Sequence, residues 1–248
     1  MSNSIPDRIK ANSHWRVVFR PDDHLNEAIP TLTECRSVVT KNRVVLRGWD
    51  FPHVGSSANP DLHGIQNGNN WISGWSEFMS HLEYWRFYQS TQFIHLSTVR
   101  ETREPQWRDK LQSTAQSHHS LLQIDWDSIP GFLEMVNFIY CVSEIAEFAA
   151  RLTQAGIYEG HLNCTVELNN VDGFVLTPPW DRSWWDLCRA TQPKLCNTWR
   201  FPADKLVGGS EDVATELCIW FFERLGWQNP NEEAIRNDVA NFLGGNLR

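Results

Sequence analysis

The sequence predicts an α+β domain in which a mostly antiparallel sheet packs against a long central helix and a carboxy-terminal helix pair. Four β-rich segments follow one another between residues 43 and 99 without a helical segment between them, which favours antiparallel pairing. Apolar residues recur at helical spacing over 130–155 and again in the last forty residues. We predict a single α+β domain over 1–248, with an internal boundary near 100–120, where the sequence becomes strongly polar.

The elements of the first half follow from local patterns. A strand is predicted at 14–20, because it ends at Pro21 and two aspartates, which are typical of turns. A helix over 30–42 begins at Pro30, and the β-branched run 43–47 predicts a strand that ends before Pro52. The segment 51–69 is rich in Gly, Asn, Ser and Pro, which predicts a long loop. Further strands are predicted at about 70–78, 84–89 and 92–99.

The second half is predicted to alternate between strands and helices. The strongest pattern is a helix over about 130–155 that ends at Gly156, and its apolar residues occupy more than one face, so we expect it to be central and buried. A short strand is predicted at 121–126, and alternating residues predict a hairpin of 161–168 with 174–176. Residues 180–208 are expected to be irregular. Two final helices begin at the capping residues Ser210 and Asn231.

Composition argues against several classes of function. The chain carries 22 basic and 30 acidic side chains, and a net charge of -8 does not suit a surface that binds polyanions. Residues 1–49 nevertheless hold eight basic and five acidic side chains, so weak nucleic-acid binding through this segment is an alternative, although nucleic acid is not the expected partner. The six cysteines have no metal-ligand spacing and are interpreted as reduced core thiols. Since no signal peptide and no membrane-spanning run is present, we expect a cytoplasmic protein without a membrane partner.

The common catalytic signatures are missing from the sequence. It contains no phosphate-binding Gly-rich loop with Lys, no dinucleotide fingerprint, no H-E-x-x-H and no G-x-S-x-G. We therefore favour a non-enzymatic interaction or ligand-sensing domain that needs no cofactor. The expected partner is another protein, with a nucleotide or small-molecule ligand as the alternative.

Thirteen tryptophans make aromatic side chains the most distinctive feature, and several of them lie between residues 47 and 90. Such rings can stack on a base while arginines contact a phosphate. The candidate ligand-binding residues are Arg47, Trp49, Trp71, Trp75, Trp85, Arg86 and Tyr88. The favoured alternative is that the rings fill the core of the sheet, because alternate residues of a strand point to one face and Trp71 therefore shares a face with Trp75.

Two carboxylates and two imidazoles gather in and beside the predicted loop. Asp50 and His53 form a D-x-x-H pattern, and Asp61 and His63 form a D-x-H pattern. Imidazole and carboxylate groups suit divalent zinc, manganese or iron, so a metal-dependent hydrolase or nuclease is an alternative function. The favoured reading is that these are exposed loop residues that make turn hydrogen bonds.

Four segments together resemble a bacterial domain without an assigned activity. They are RGWDFP at 47–52, YWRFYQS with QFIH between 84 and 95, EIAEFAARL at 144–152 and FERLGW at 222–227. The domain occurs alone and at the carboxy-terminal end of Schlafen/AlbA-2-like ATP- or DNA-binding proteins, and the resemblance covers most of the chain. It implies a bacterial source and an accessory role in defence or regulation, and it supplies no catalytic residues.

Overall fold

The computed structural model describes residues 4–23, 25–55, 61–78, 81–101, 125–178 and 188–247, together with positions 106, 109 and 112. The helices of this part of the chain are α1 (Ile5–Lys10), α2 (Leu32–Asn42), α3 (Met135–Gln154), α4 (Ala203–Gly208), α5 (Ser210–Arg224) and α6 (Glu232–Leu243). Its strands are β1 (His14–Pro21), β2 (Val44–Val45), β3 (Asp50–Phe51), β4 (His63–Asn67), β5 (Trp71–Phe78), β6 (His81–Tyr88), β7 (Phe93–Thr98), β8 (Phe132–Glu134), β9 (His161–Asn169), β10 (Val175–Thr177) and β11 (Lys194–Pro202).

A seven-stranded sheet forms the centre of the fold, in the order β11-β9-β1-β7-β6-β5-β4. Every neighbouring pair in this sheet is antiparallel. Strands β4 to β7 follow one another along the chain and in space, as expected for segments joined without helices. The predicted α+β class with a mostly antiparallel sheet is confirmed.

The sheet has an inner face, which packs against α3, and an outer face, which is partly covered by α1. On the inner face Trp15 lies 4.8 Å from Phe138 of α3, and Phe93 lies 5.0 Å from Phe148, measured between ring centroids. On the outer face Ile9 of α1 packs against buried side chains of β6 and β7. Because side chains alternate along each strand, the two faces receive different residues from the same segment.

Helix α3 is the predicted central helix, and it lies between the sheet and the carboxy-terminal helices. Its Phe138 contacts Phe221 and Phe222 of α5, and its Tyr140 stacks on Phe242 of α6 at 4.2 Å. Apolar residues on several sides of α3 are buried for this reason, since both of its long faces meet other elements. The predicted helix pair at the carboxy terminus is confirmed as α5 and α6.

The predicted hairpin of 161–168 with 174–176 is wrong. Strand β9 pairs with β1 on one side and with β11 on the other, so neither of its edges remains for β10. Strand β10 instead pairs in parallel with β8, just before α3. All three residues of β10 are buried, and such a short apolar strand is stable only where it is covered on both faces.

The expectation that 180–208 is irregular is also wrong for its described part. This part contains β11 and α4, and β11 places Leu195, Trp199 and Phe201 inward while the residues between them are more exposed. That period-two alternation was present in the sequence but was obscured by the polar residues around it. Cys196 lies on an outward position of β11 and is exposed, so the interpretation of all six cysteines as core thiols is wrong at this position.

Three further predicted segments differ from the structure or lie at least partly outside its described residues. The strand predicted at 43–47 is reduced to the two residues of β2, which pair with β3 in a separate small sheet. The predicted loop at 51–69 contains β4, which forms one edge of the main sheet. Residues 121–124 of the predicted strand 121–126 lie outside the described residues, as does most of the predicted boundary at 100–120.

Candidate functional site

A cavity of about 230 Å³ lies between the inner face of the sheet and α3. It is closed on a third side by the segment 47–51, which contains β3. The lining residues share a mixed character, with aromatic rings beside ionisable groups: Trp15, Arg47, Trp49, Asp50, Phe51, Phe78, His81, Glu83, His95, Ser97, Thr98, Arg100, Asn137, Cys141, Glu144 and Ile145. This volume is below that of most small-molecule pockets, which span roughly 300–1,000 Å³.

Glu83 organises the floor of the cavity. It lies on an inward position of β6 and is only 2% exposed, and its carboxylate accepts four hydrogen bonds. Oε1 accepts from the backbone N–H of His53 at 2.8 Å and from Nε2 of His95 at 3.0 Å. Oε2 accepts from Nε2 of His81 at 2.9 Å and from the indole N–H of Trp49 at 3.3 Å. Glu83 therefore ties the segment 49–53 to the sheet.

The segment 49–53 is held by further contacts. The carboxylate of Asp50 binds Nδ1 of His53 and accepts a hydrogen bond from Arg43 at 2.9 Å. The indole N–H of the fully buried Trp85 donates to the backbone carbonyl of His53 at 2.7 Å. The ring of Trp49 stacks on His53 with centroids 4.1 Å apart. This wall of the cavity is consequently fixed by polar bonds on two sides.

An ion pair between Arg47 and the buried Glu144 forms another part of the lining. Arg47 binds Glu144 of α3 with two hydrogen bonds, from Nε at 2.9 Å and from Nη2 at 2.7 Å. Its Nη1 donates to Asn137 at 2.6 Å, and Asn137 in turn donates to the buried Glu101 at 2.9 Å. Arg47, Asn137 and the two glutamates therefore bind one another, and these bonds hold α3 against the segment that follows β2.

The environment shifts the pKa values of these acids in different directions. Burial favours the neutral form of Glu83, but the hydrogen bonds from His81 and His95 outweigh it and hold the pKa of Glu83 well below its usual value. Burial raises the pKa of Glu144 to about 7, although Arg47 opposes the rise. Burial also raises the pKa of the Cys141 thiol to about 11, so this cysteine is not a thiolate nucleophile at neutral pH.

The candidate ligand-binding residues separate into three environments. Arg47 and Trp49 line the cavity, whereas Trp85 lies on the inner face and is fully buried, so it belongs to the core. The other four lie on the outer face and are half-buried: Trp71, Trp75, Arg86 and Tyr88. The sheet thus places these seven side chains on opposite sides, and they do not form one site.

On the outer face the arginine is surrounded by rings. The guanidinium of Arg86 lies 4.0 Å from the centre of the Trp71 ring, and its Nε donates to the hydroxyl of Tyr84 at 2.9 Å. Nη1 donates to the hydroxyl of Tyr88 at 3.3 Å. The aromatic residues on the outer face of β5 and β6 therefore pack around Arg86 and form a surface layer of the sheet.

The predicted metal residues are brought together only in part. His53 and His63 have ring centroids 5.7 Å apart, while Asp61 is exposed. Asp50 is already bound to His53 and Arg43. Among the described residues, no group of three or more His, Cys, Asp and Glu side chains is arranged to hold a metal ion.

The basic character of residues 1–49 is largely compensated. Ion pairs join Arg8 to Glu77, Arg16 to Glu167 and Arg47 to Glu144. Arg43 is paired with Asp50. At least half of the eight cations in this segment are therefore neutralised by acids of the same chain, which weakens the case for a phosphate-binding surface.

Several cavity residues were not singled out from the sequence, namely His81, Glu83, His95, Asn137 and Glu144. A signal for them was present, because Glu83 lies between core positions of an apolar strand and Glu144 lies on a buried side of an apolar helix. An ionisable residue at a core position costs free energy unless it is paired, and it is therefore a marker of a polar centre.

No protein-family model, curated protein or solved structure matches this chain. The resemblance to the bacterial domain therefore stays a prediction. None of the described helices is long and apolar enough to cross a lipid bilayer.

Proposed function

We propose that this chain is a ligand-sensing domain that binds a small molecule in the cavity between the inner face of the sheet and α3. The observation that carries the proposal is the concentration of buried ionisable groups around an open space with aromatic walls. Glu83 and Glu144 are each 2% exposed, and both lie beside the cavity. Burial of charges is costly, and residues of this kind cluster at binding sites more than in ordinary cores.

The walls of the cavity belong to three separate parts of the chain. Trp49 comes from the segment before β3, Ser97 from β7 and Asn137 from α3. A ligand that contacts all three walls would favour the arrangement in which they are together, and binding would stabilise the fold by mass action. This supports a sensing role, and no catalytic step is needed for it.

The proposal is tested by filling the cavity. Ser97 lies on the inner face at the cavity, and Ser97→Leu would occupy the space of a ligand. A panel of small aromatic and heterocyclic compounds is screened by ligand-observed NMR and by thermal shift. We expect compounds that bind the wild type to lose at least about tenfold in affinity in Ser97→Leu, a loss of about 1.4 kcal/mol.

The matched control is Thr198→Leu, which adds the same side chain at an exposed position of β11 on the outer face. Binding to this variant should equal that of the wild type. If no compound of the panel binds the wild type, or if binding survives Ser97→Leu undiminished, the cavity is not the ligand site.

A further inference from the structure

The polar groups of the cavity leave little bonding capacity for a ligand, and this limits what the ligand can be. Arg47 is bound to Glu144 and Asn137, and both oxygens of Glu83 are occupied. The Asp50 carboxylate is bound by Arg43 and His53. A strongly charged ligand would have to compete with these internal ion pairs, so the arrangement favours an uncharged ligand.

Nδ1 of His95, another residue of the cavity lining, has no hydrogen-bond partner among the described residues, but this atom is fully buried. The cavity histidine that a ligand can reach is His81. Its Nε2 binds Glu83, whose side chain is 3% exposed, while the side chain of His81 itself is 26% exposed. The two ring nitrogens of imidazole point in divergent directions, so Nδ1 is on the part of the ring that is turned away from Glu83. Within the described part of the chain, no hydrogen bond is made by Nδ1 of His81.

The hydrogen bonds of Glu83 determine which nitrogen of His81 carries the proton. Two N–H groups that can only donate point at this carboxylate, the backbone N–H of His53 at Oε1 and the indole N–H of Trp49 at Oε2. The pKa of Glu83 is held well below its usual value, so the carboxylate is ionised and only accepts hydrogen bonds, including the one with Nε2 of His81. Neutral His81 therefore holds its proton on Nε2, and its Nδ1 carries a free lone pair on a residue that lines the cavity.

Aromatic rings form a large part of the remaining lining. Trp15, Trp49 and Phe78 contribute rings to the cavity, and Phe78 at its mouth is 42% exposed. Aromatic side chains bind planar ligands by stacking or by edge contacts. A cavity of about 230 Å³ accommodates one ring system but not a large ligand.

We propose that the cavity binds a small, uncharged aromatic ring that donates an N–H or O–H group to Nδ1 of His81. This inference rests on the proposed function and adds the class of the ligand and the residue that selects it. His81 acts here as a specificity-determining residue, and Glu83 positions it by fixing the tautomer.

The test compares indole with 1-methylindole, which has the same ring but lacks the N–H donor. Dissociation constants are measured by ligand-observed NMR for the wild type and for His81→Phe, which keeps an aromatic ring and removes both nitrogens. The wild type should bind indole about tenfold more tightly, as expected for one hydrogen bond. His81→Phe should bind the two probes equally.

The matched control is His161→Phe, because His161 is an exposed histidine beside Asp22 that is not part of the cavity lining. This variant should keep the preference for indole. If the wild type binds both probes equally, the ligand site stands but the role of His81 is overturned. If other compounds of the panel bind and neither probe does, the inferred ligand class is wrong while the proposed function is retained.

A second measurement does not depend on the folding of a variant. Nitrogen-15 NMR of histidine-labelled wild-type protein reports the protonation of each ring nitrogen of His81. We expect the neutral ring to carry its proton on Nε2, with an Nδ1 resonance that shifts when indole is added and is unchanged by 1-methylindole. A protonated Nδ1 in the neutral ring would overturn the inference.

Discussion

The inner and outer faces of the seven-stranded sheet receive charged and aromatic side chains from the same strands, but they accommodate the charges differently. On the inner face Glu83 is almost completely buried and is satisfied by four donors beside the cavity. On the outer face Arg86 is half-exposed and lies over Trp71, with two tyrosine hydroxyls as its partners. A buried charge requires a complete set of partners, whereas an exposed charge is also stabilised by water.

The first prediction compares the loss in the free energy of unfolding when one carboxylate is removed from each face, and here we expect the largest difference between the faces. Glu83→Ala would leave four donors without their acceptor at a buried position, so we expect a loss of at least about 4 kcal/mol in the free energy of unfolding. Glu77→Ala is the matched change on the outer face, where the ion pair with Arg8 is more than one third exposed. Its cost should stay below about 1 kcal/mol.

Urea unfolding followed by far-UV circular dichroism measures both variants. Glu83→Gln, which keeps one acceptor oxygen, should recover part of the loss of Glu83→Ala. Equal costs for Glu83→Ala and Glu77→Ala would show that the inner face does not depend on its buried carboxylate.

The second prediction concerns the ion pair between Arg47 and Glu144 and how its contribution to stability depends on pH. Arg47→Met removes the cation that opposes the rise in the pKa of Glu144, so this pKa should climb above its wild-type value of about 7. In the folded state Glu144 then holds its proton to higher pH, while in the unfolded state it ionises near 4.5. A group that binds more protons in the folded state makes stability fall as pH rises.

The wild type should therefore stop losing stability from Glu144 above about pH 7, whereas Arg47→Met continues to lose it. We expect a cost of about 3 kcal/mol at pH 7 that increases by about 1 kcal/mol by pH 8. Unfolding curves at pH 6, 7 and 8 measure this, with Arg224→Met on the exposed side of α5 as the control. A difference between wild type and variant that is independent of pH would contradict the assigned shift.

Much of the fold was predictable because its signals are local. The period of two between 70 and 99 and the helical period over 130–155 are properties of neighbouring residues. The partners of β9 and β10 were not predictable in this way, because they pair with strands that are distant in the sequence and their own residues do not specify which strand lies beside them. The three buried residues of β10 look the same in the sequence whether they form a hairpin or a parallel pair.

The candidate site was less predictable than the fold. Arg47, Trp49 and Asp50 were candidates from the sequence and line the cavity, because they lie in a segment with glycine and proline that runs from one short strand through the next. Glu83 and Glu144 were missed because they are far apart in the sequence and form no motif, and only the fold brings them to the same cavity. The structure divides the seven aromatic and arginine candidates between the two faces of the sheet. Strand alternation predicts which residues share a face, but it does not predict which face packs against the helix.

The smallest predicted effect uses two glycines that lie against tryptophans on opposite faces. A Cβ atom at Gly74 would lie 2.5 Å from the indole of Trp85, and one at Gly64 would lie 2.5 Å from that of Trp75. Trp85 is fully buried, and its N–H is bound to the carbonyl of His53, so its ring cannot move without loss of this bond. Trp75 is half-buried, and its ring can turn toward water.

We therefore expect Gly74→Ala to cost about 2 kcal/mol and Gly64→Ala less than about 1 kcal/mol, since overpacking is expensive only where the neighbour is confined. Urea unfolding of the two variants measures the difference. Gly74→Ala should also weaken binding in the cavity, because Trp85 holds the carbonyl of His53 in the segment beside it. If Gly64→Ala cost as much as Gly74→Ala, the outer aromatic layer would be as rigid as the core, and the contrast between the two faces would have to rest on charge alone.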